Sequence, residues 1–199
     1  MEIMKFTLGS YRSNCYVVHD MNKAVIIDPG YESDEVIEYI KKHHLSVEGI
    51  YVTHGHPDHV GGVRQMKDAF HATVYAPLKD SIWMGESQFN QIGYVIPVDV
   101  FVQEPKELKL IGKIFKVYDT PGHSEGGTIL YVDGVLFSGD TLFFQSIGRT
   151  DIPKSDPQVI YQSIKKIYEL FKDDVIVYPG HGKPTTIGHE KKFNPFVRG

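Results

Sequence analysis

The sequence predicts an α/β protein whose sheets pack face to face with helices on the outside. Short apolar, β-branched runs recur along the chain and are joined by turn signals such as Asp20-Met21-Asn22 and Asp133-Gly134. Two other stretches carry apolar residues at helical spacing, Ser33 to His44 behind the N-cap candidate Ser33 and Asp156 to Phe171 with Pro157 near its first turn. The two kinds of segment alternate in a coarse rhythm of strands then helix, given twice, which suits a layered architecture. With 199 residues and no linker, low-complexity stretch or tandem repeat, a single domain over 1–199 is expected.

Taken in order, Ile3 to Leu8 reads as a strand, Tyr11 to Asn14 as a turn, and Cys15 to His19 and Ala24 to Asp28 as the next strands, stopped by Pro29-Gly30. Ser33 is placed to cap a helix, with Asp34 and Glu35 in its first turn and Lys41, Lys42, His43 and His44 at its end, where cations are tolerated and solvated. Gly49 to Thr53 reads as a short buried strand, Gly61 to Phe70 as a helix and Ala72 to Tyr75 as a strand. Residues 77–100 carry Trp83, Met84, Phe89 and Tyr94 with little period. Strands are expected near Glu107 to Leu110, Ile114 to Asp119, Thr128 to Val132 and Val135 to Ser138, then a loop over 140–153. A helix over Asp156 to Phe171 with Pro157 near its first turn, a strand over Val175 to Tyr178 and a short helix over Thr186 to Phe193 complete the chain.

Composition narrows the function classes. The net charge of −4 lacks the basic excess that phosphate neutralisation demands, so no nucleic-acid partner is expected. No stretch approaches the roughly 18 apolar residues of a membrane span, and the N-terminus lacks a secretion pattern, so a cytoplasmic protein with no membrane partner is expected. Cys15, the one cysteine, lies in the apolar run Cys15-Tyr16-Val17-Val18 and reads as a small buried hydrophobe. Nothing in the sequence specifies an oligomeric state.

The segment that carries chemistry is Thr53-His54-Gly55-His56-Pro57-Asp58-His59. Three of the ten histidines and a carboxylate fall together at the end of an apolar strand. Imidazole and carboxylate are ligands for zinc, iron and manganese. His54 and His56, two apart in extended chain, share a side, whereas Asp58 and His59 follow a turn and can face a second position. That order suits two adjacent metals better than one tetrahedral site. Three further loops, each after an expected strand, put one ligand-capable residue beside glycine: Pro121-Gly122-His123, Gly139-Asp140-Thr141 and Pro179-Gly180-His181.

This ordered set resembles the metallo-β-lactamase superfamily, and the likeness runs from Asn14-Cys15-Tyr16 and Asp28-Pro29-Gly30 to His181. The resemblance implies an αββα four-layer sandwich, two mixed β-sheets flanked by helices, with metal at one edge between the sheets. It also implies that His54, His56 and His123 hold a first metal, Asp58, His59 and His181 a second, and Asp140 bridges them. Two divalent ions are thus expected, zinc foremost, with iron or manganese also suited. A metal-bridging hydroxide would attack a carbonyl carbon, with Asp58 as the catalytic residue orienting it and carrying a proton. Asp28 and Ser124 are candidates to support the ligands.

The loop from Gly139 to Asp151 and the tail from Pro184 to Phe196 resemble the glyoxalase II-like group, specifically its short hydroxyacylglutathione hydrolase-type members. The implied substrate is a small-molecule thioester, S-lactoylglutathione or a relative, cleaved to an acid and a thiol. Arg149 stands where the group places an anion-binding lysine, and either binds substrate or pairs with Asp151. Trp83, Phe89, Tyr94 and Phe101 either floor the substrate site or pack as core, and His19, His71 and His189 read as structural. The competing reading is an iron-dependent persulfide dioxygenase of the same fold, whose loop shares Gly148-Arg149-Thr150-Asp151. A β-lactam-directed or nucleic-acid-processing member and a non-catalytic metal-binding module are weaker competitors.

Overall fold

Side chains on successive strand residues point to opposite faces, and here both faces are apolar. The computed structural model describes residues 1–199. In β1 (Glu2–Leu8), β2 (Ser13–Asp20) and β3 (Lys23–Ile27), Cys15, Val17, Ala24 and Ile26 enter one apolar cluster. Their neighbours Tyr16, Val18, Val25 and Ile27 enter another. β2 and β3 lie buried on both sides, while the edge strand β1 buries only Phe6 and Leu8.

The first cluster is closed by α1 (Asp34–Lys42), whose Val36 and Ile40 pack on that face. After β4 (Ser46–Tyr51) come α2 (Pro57–Val60) and α3 (Val63–Phe70), which add Val60, Val63 and Met66. Next follow β5 (Thr73–Pro77), α4 (Ser81–Met84) and β6 (Val100–Val102). The sheet order is β1-β2-β3-β4-β5-β6, antiparallel as far as β3 and parallel from there on.

The second sheet comprises β7 (Lys106–Leu110), β8 (Lys113–Asp119), β9 (Thr128–Val132) and β10 (Val135–Gly139), and a ribbon of β11 (Leu142–Phe143) with β12 (Ser146–Ile147) follows it. After α5 (Pro157–Leu170), β13 (Ile176–Pro179) joins β10 in parallel. β14 (Thr185–Thr186) makes the edge and α6 (Ile187–Phe193) follows. Phe115, Leu130 and Phe137 face the first sheet, meeting Tyr16, Ile27 and Tyr51. Ile129 and Leu136 face outward onto Ile160, Ile164 and Ile167 of α5. Three apolar interfaces thus separate four layers, helix, sheet, sheet, helix. Emptying the middle one, for instance by Phe137→Ala at 1% exposure, costs about 3–5 kcal/mol.

Local signals act as expected at several junctions. Ser33 Oγ accepts from Val36 N–H at 3.4 Å, and Asp156 accepts from Gln158 and Val159 N–H at 2.8 and 3.1 Å. Asp133 and Gly134 both take positive φ, 45° and 82°, the geometry of a tight hairpin turn. The helix expected from Gly61 starts at Val63, because Gly62 packs against the Tyr31 backbone and donates its N–H to Pro29 O at 2.7 Å. The loop expected over 140–153 contains the small ribbon, and β6 and β14 add edges that no periodicity announced, each being too short to show alternation. No helix is long and apolar enough to cross a membrane.

Candidate metal centre

Both sheets deliver their loops to one edge. His54 follows β4, and His56, Asp58 and His59 lie at the start of α2, where Pro57 occupies the first turn. His123 lies between β8 and β9, while Asp140 and His181 follow β10 and β13 directly. The structure brings all seven of these side chains together. Ligand-capable atoms of His54, His56 and His123 lie within 4.8 Å of one another, as do those of Asp58, His59 and His181. Asp140 stands between the trios. Its Oδ2 is 4.0 Å from His54 Nε2 and 3.4 Å from both His123 Nε2 and His181 Nε2, and its Oδ1 is 3.4 Å from His59 Nε2.

The far side of several rings is occupied, which fixes what the near side offers. Thr53 donates its hydroxyl proton to Asp28 Oδ2 at 2.6 Å, so its oxygen accepts from His54 Nδ1 at 3.1 Å. His59 Nδ1 donates to Asp28 Oδ2 at 3.0 Å, and His123 Nδ1 donates to Arg149 O at 2.8 Å. In each ring Nε2 is then the nitrogen turned to the cluster, a lone pair whenever the ring is neutral. His54 Nε2, His59 Nε2 and Asp140 Oδ1 are buried with no hydrogen-bond partner, which is costly unless a cation fills the space. His56 Nδ1 and His123 Nε2 sit 2.9 Å apart, two nitrogens converging on one point. Gly180 closes the cradle, since a Cβ there would run into Asp140 Oδ1 and come within 2.8 Å of His59 Cε1. Geometry and donor chemistry both fit divalent cations.

The two trios differ electrostatically. Burial pushes the His54 imidazolium well down and that of His56 to about 3, with neighbouring imidazoles adding repulsion. That side stays neutral and keeps its lone pairs. Burial opposes protonation of His59 and His181 as well, but the surrounding carboxylates outweigh it and raise them to about 9 and about 10. The carboxylate-rich side therefore calls for positive charge, which protons or a cation can supply. Burial alone would raise Asp140, yet His59 and the hydrogen bond from His181 hold it well below the usual carboxylate range.

A cleft of about 250 Å³ opens above this floor, walled by Tyr11, Trp83, Arg149, Ile152 and Pro153 among others. Arg149 reaches the cleft wall, but its guanidinium is tied in a fork to Asp151, at 2.7 and 2.9 Å. Of the four aromatics in question, Trp83 alone lines the cleft, edge-on to His56 with ring centroids 4.6 Å apart. Tyr94 packs on the first apolar cluster and Phe101 is exposed. His19 is buried against the Tyr39 hydroxyl, His71 ends α3 and His189 stacks on Phe144. Cys15 is fully buried and burial pushes its thiol upward, so it offers no nucleophile.

Asp28 holds the His59 ring and also accepts from Thr53 N–H at 2.7 Å, in a left-handed conformation at φ 51°. The residue that sequence reasoning missed is Asp80. Its buried carboxylate accepts from Gly55 N–H at 2.8 Å, Ser124 Oγ at 2.7 Å and Gly126 N–H at 2.6 Å. It thereby ties the loop of His54 and His56 to the loop of His123, and Ser124 acts through it. Nothing in the Lys79-Asp80-Ser81 stretch marks it, because all its partners are distant in sequence.

Comparison with known proteins agrees with this architecture. The family model for the metallo-β-lactamase superfamily matches residues 8–181. Hydroxyacylglutathione hydrolase GloC of Haemophilus influenzae is 36% identical over 99% of this chain and 98% of its own. The crystal structure of BLEG-1, a B3 metallo-β-lactamase, is 37% identical with a TM-score of 0.91 and covers 100% of both chains. That of TTHA1623 in a di-iron-bound form is 34% identical with a TM-score of 0.83, over 98% of this chain and 100% of that one. Layered sheets, a convergent histidine and aspartate cluster and near full-length similarity lead to one conclusion: the chain belongs to the metallo-β-lactamase superfamily.

Proposed function

We propose that this protein is a metal-dependent thioester hydrolase of the glyoxalase II type, splitting S-lactoylglutathione or a related acyl-thioester into an acid and a thiol. The superfamily consists mostly of metal-dependent hydrolases, and the near full-length similarity to GloC supports the thioester class. The observation that carries the reading is the convergence of seven ligand-capable side chains around unpartnered buried lone pairs at the floor of a cleft.

His54, His56 and His123 would hold one divalent cation, Asp58, His59 and His181 a second, and Asp140 would serve both. Such a pair, zinc, iron or manganese, would supply an acidified water, with a pKa of about 7, and would polarise the substrate carbonyl. The water oxygen bonds to the acyl carbon, the C–S bond breaks, and the thiol departs with a proton. Asp58 is the chain's proton carrier. Its carboxylate is 18% exposed against 9% for Asp140, its Oδ2 lies 3.2 Å from His181 Nε2, and it lines the cleft, within reach of a proton released there. Trp83, Ile152 and Pro153 shield that spot from bulk water, and Arg149 contacts an anionic part of the substrate if it exchanges Asp151 for it.

Two other readings share this floor. BLEG-1 is described as a β-lactamase, which would direct the same attack to a C–N bond. A persulfide dioxygenase needs one iron on two imidazoles and a carboxylate, a set that this cluster also contains, so metal stoichiometry and oxygen uptake separate the two. Purified protein loaded in turn with zinc, iron and manganese is assayed on S-lactoylglutathione, other acyl-thioesters, a cephalosporin and glutathione persulfide, with metal quantified. Thioester turnover with two metals per chain supports the proposal. Cephalosporin turnover without thioester turnover replaces it with a lactamase, and oxygen uptake with one iron replaces it with the dioxygenase.

A further inference from the structure

A second groove, of about 350 Å³, adjoins the cleft and shares Tyr11 and His181 with it. Lys5, Arg12 and Lys183 line it, and no carboxylate does. Lys23, Lys67, Lys113 and Lys166 each pair with an acid, whereas none of these three forms an ion pair. Lys5 Nζ donates only to Gly182 O, at 3.3 Å, and the Lys183 ammonium rests 3.6 Å above the Phe144 ring, a neutral partner. Arg149, the cation of the main cleft, is already matched by Asp151. The groove is therefore where the site presents unmatched positive charge.

The groove is also fixed to the floor of the cleft. Asn14 N–H donates to Gly180 O at 2.7 Å, and Asn14 Nδ2 donates to Pro179 O and Gly182 O at 2.9 and 3.0 Å. Ser13 bridges to His181. The hairpin that carries Lys5 and Arg12 is thus bound to the loop that carries His181 and Lys183. Positive charge is held beside one ligand trio, next to the cleft wall at Tyr11.

We propose that Lys5, Arg12 and Lys183 form an anion-binding subsite, continuous with the cleft, that holds the anionic end of the substrate's thiol carrier. This rests on the thioester reading above. The shared ligand chemistry is an oxyanion, either the carboxylates of an acidic peptide thiol or the phosphates of a nucleotide thiol. Recognition of this kind discriminates carriers by charge, while the acyl group is handled at the floor.

The test uses metal-loaded protein and calorimetric titration with S-methylglutathione, coenzyme A and the neutral N-acetylcysteamine. The triple variant Lys5→Gln/Arg12→Gln/Lys183→Gln changes exposed side chains only, so the fold is retained. It is expected to weaken binding of one anionic probe roughly ten- to thirtyfold and leave the neutral probe unchanged. Wild-type affinity for that probe should fall with salt, as exposed charges require. Which anionic probe responds separates the carboxylate source from the phosphate source. Equal affinity in wild type and variant, equal loss for the neutral probe, or no binding of either anionic probe overturns the subsite. Turnover is read separately. An inert enzyme with charge-dependent binding overturns the hydrolase reading alone, and turnover without charge dependence overturns the subsite alone.

Discussion

At the floor of the cleft, His54, His59 and His123 each commit one ring nitrogen to a protein partner and aim the other inward. At the rim, Tyr11 is 72% exposed and the Arg149 side chain 65% exposed, its one ion pair reaching just two residues along the chain. The floor is over-determined: Asp28 and Asp80 each accept several hydrogen bonds that tie its loops together. The rim is held by single contacts in high dielectric. The difference separates chemistry, which needs fixed geometry, from substrate choice, which rests on groups that can rearrange.

The largest break in that comparison is expected at Asp140, the residue common to both trios. Asp140→Ala should lower turnover by well over the roughly 10–100-fold typical of an outer contact, and metal analysis should show fewer bound ions per chain. An Asp140→Ala protein that keeps full metal content and rate would sink the two-cation floor. Removing metal with a chelator should abolish turnover and lower Tm, with both restored by zinc, iron or manganese, because a ligand bound only to the folded state stabilises it. A Tm indifferent to metal would mean that no cation occupies the cluster.

Asp80→Ala tests whether the floor depends on support from outside it. It strands the Gly55 and Gly126 N–H groups and the Ser124 hydroxyl, each at about 1–3 kcal/mol if unsatisfied, and should weaken metal affinity about 10–100-fold. Stability loss with unchanged metal affinity would reduce Asp80 to a loop fastener. Trp83→Phe probes the boundary between floor and rim. The Trp83 side chain lines the cleft edge-on to His56, so loss of that apolar ring area should raise KM about two- to tenfold with kcat little changed. Arg149→Ala should have the smallest effect, a KM change below about fivefold and no shift in Tm. A collapse of kcat at Arg149 would put the rim on a par with the floor.

How much was legible in the sequence depended on how local each signal is. The His54 to His59 spacing, the three glycine-flanked loops and the alternating strands are short-range patterns, and the ligand candidates and the layered α/β class follow from them directly. The N-cap at Ser33, Pro157 at the start of α5 and the Asp133-Gly134 hairpin are equally local, and each formed where its residue types required. Tertiary structure alone decided the rest. Asp80 grips loops 25 and 46 residues away in sequence, Asn14 ties the first hairpin to residues more than 160 positions on, and Arg149 chose Asp151. A basic groove built from Lys5, Arg12 and Lys183 has no signature in one dimension, because its members approach one another only after the start of β2 meets the loop after β13 at the Ser13–His181 bridge. Residue chemistry and spacing are written along the chain, whereas burial, pairing and shared walls arise from contacts between segments that the linear order keeps apart.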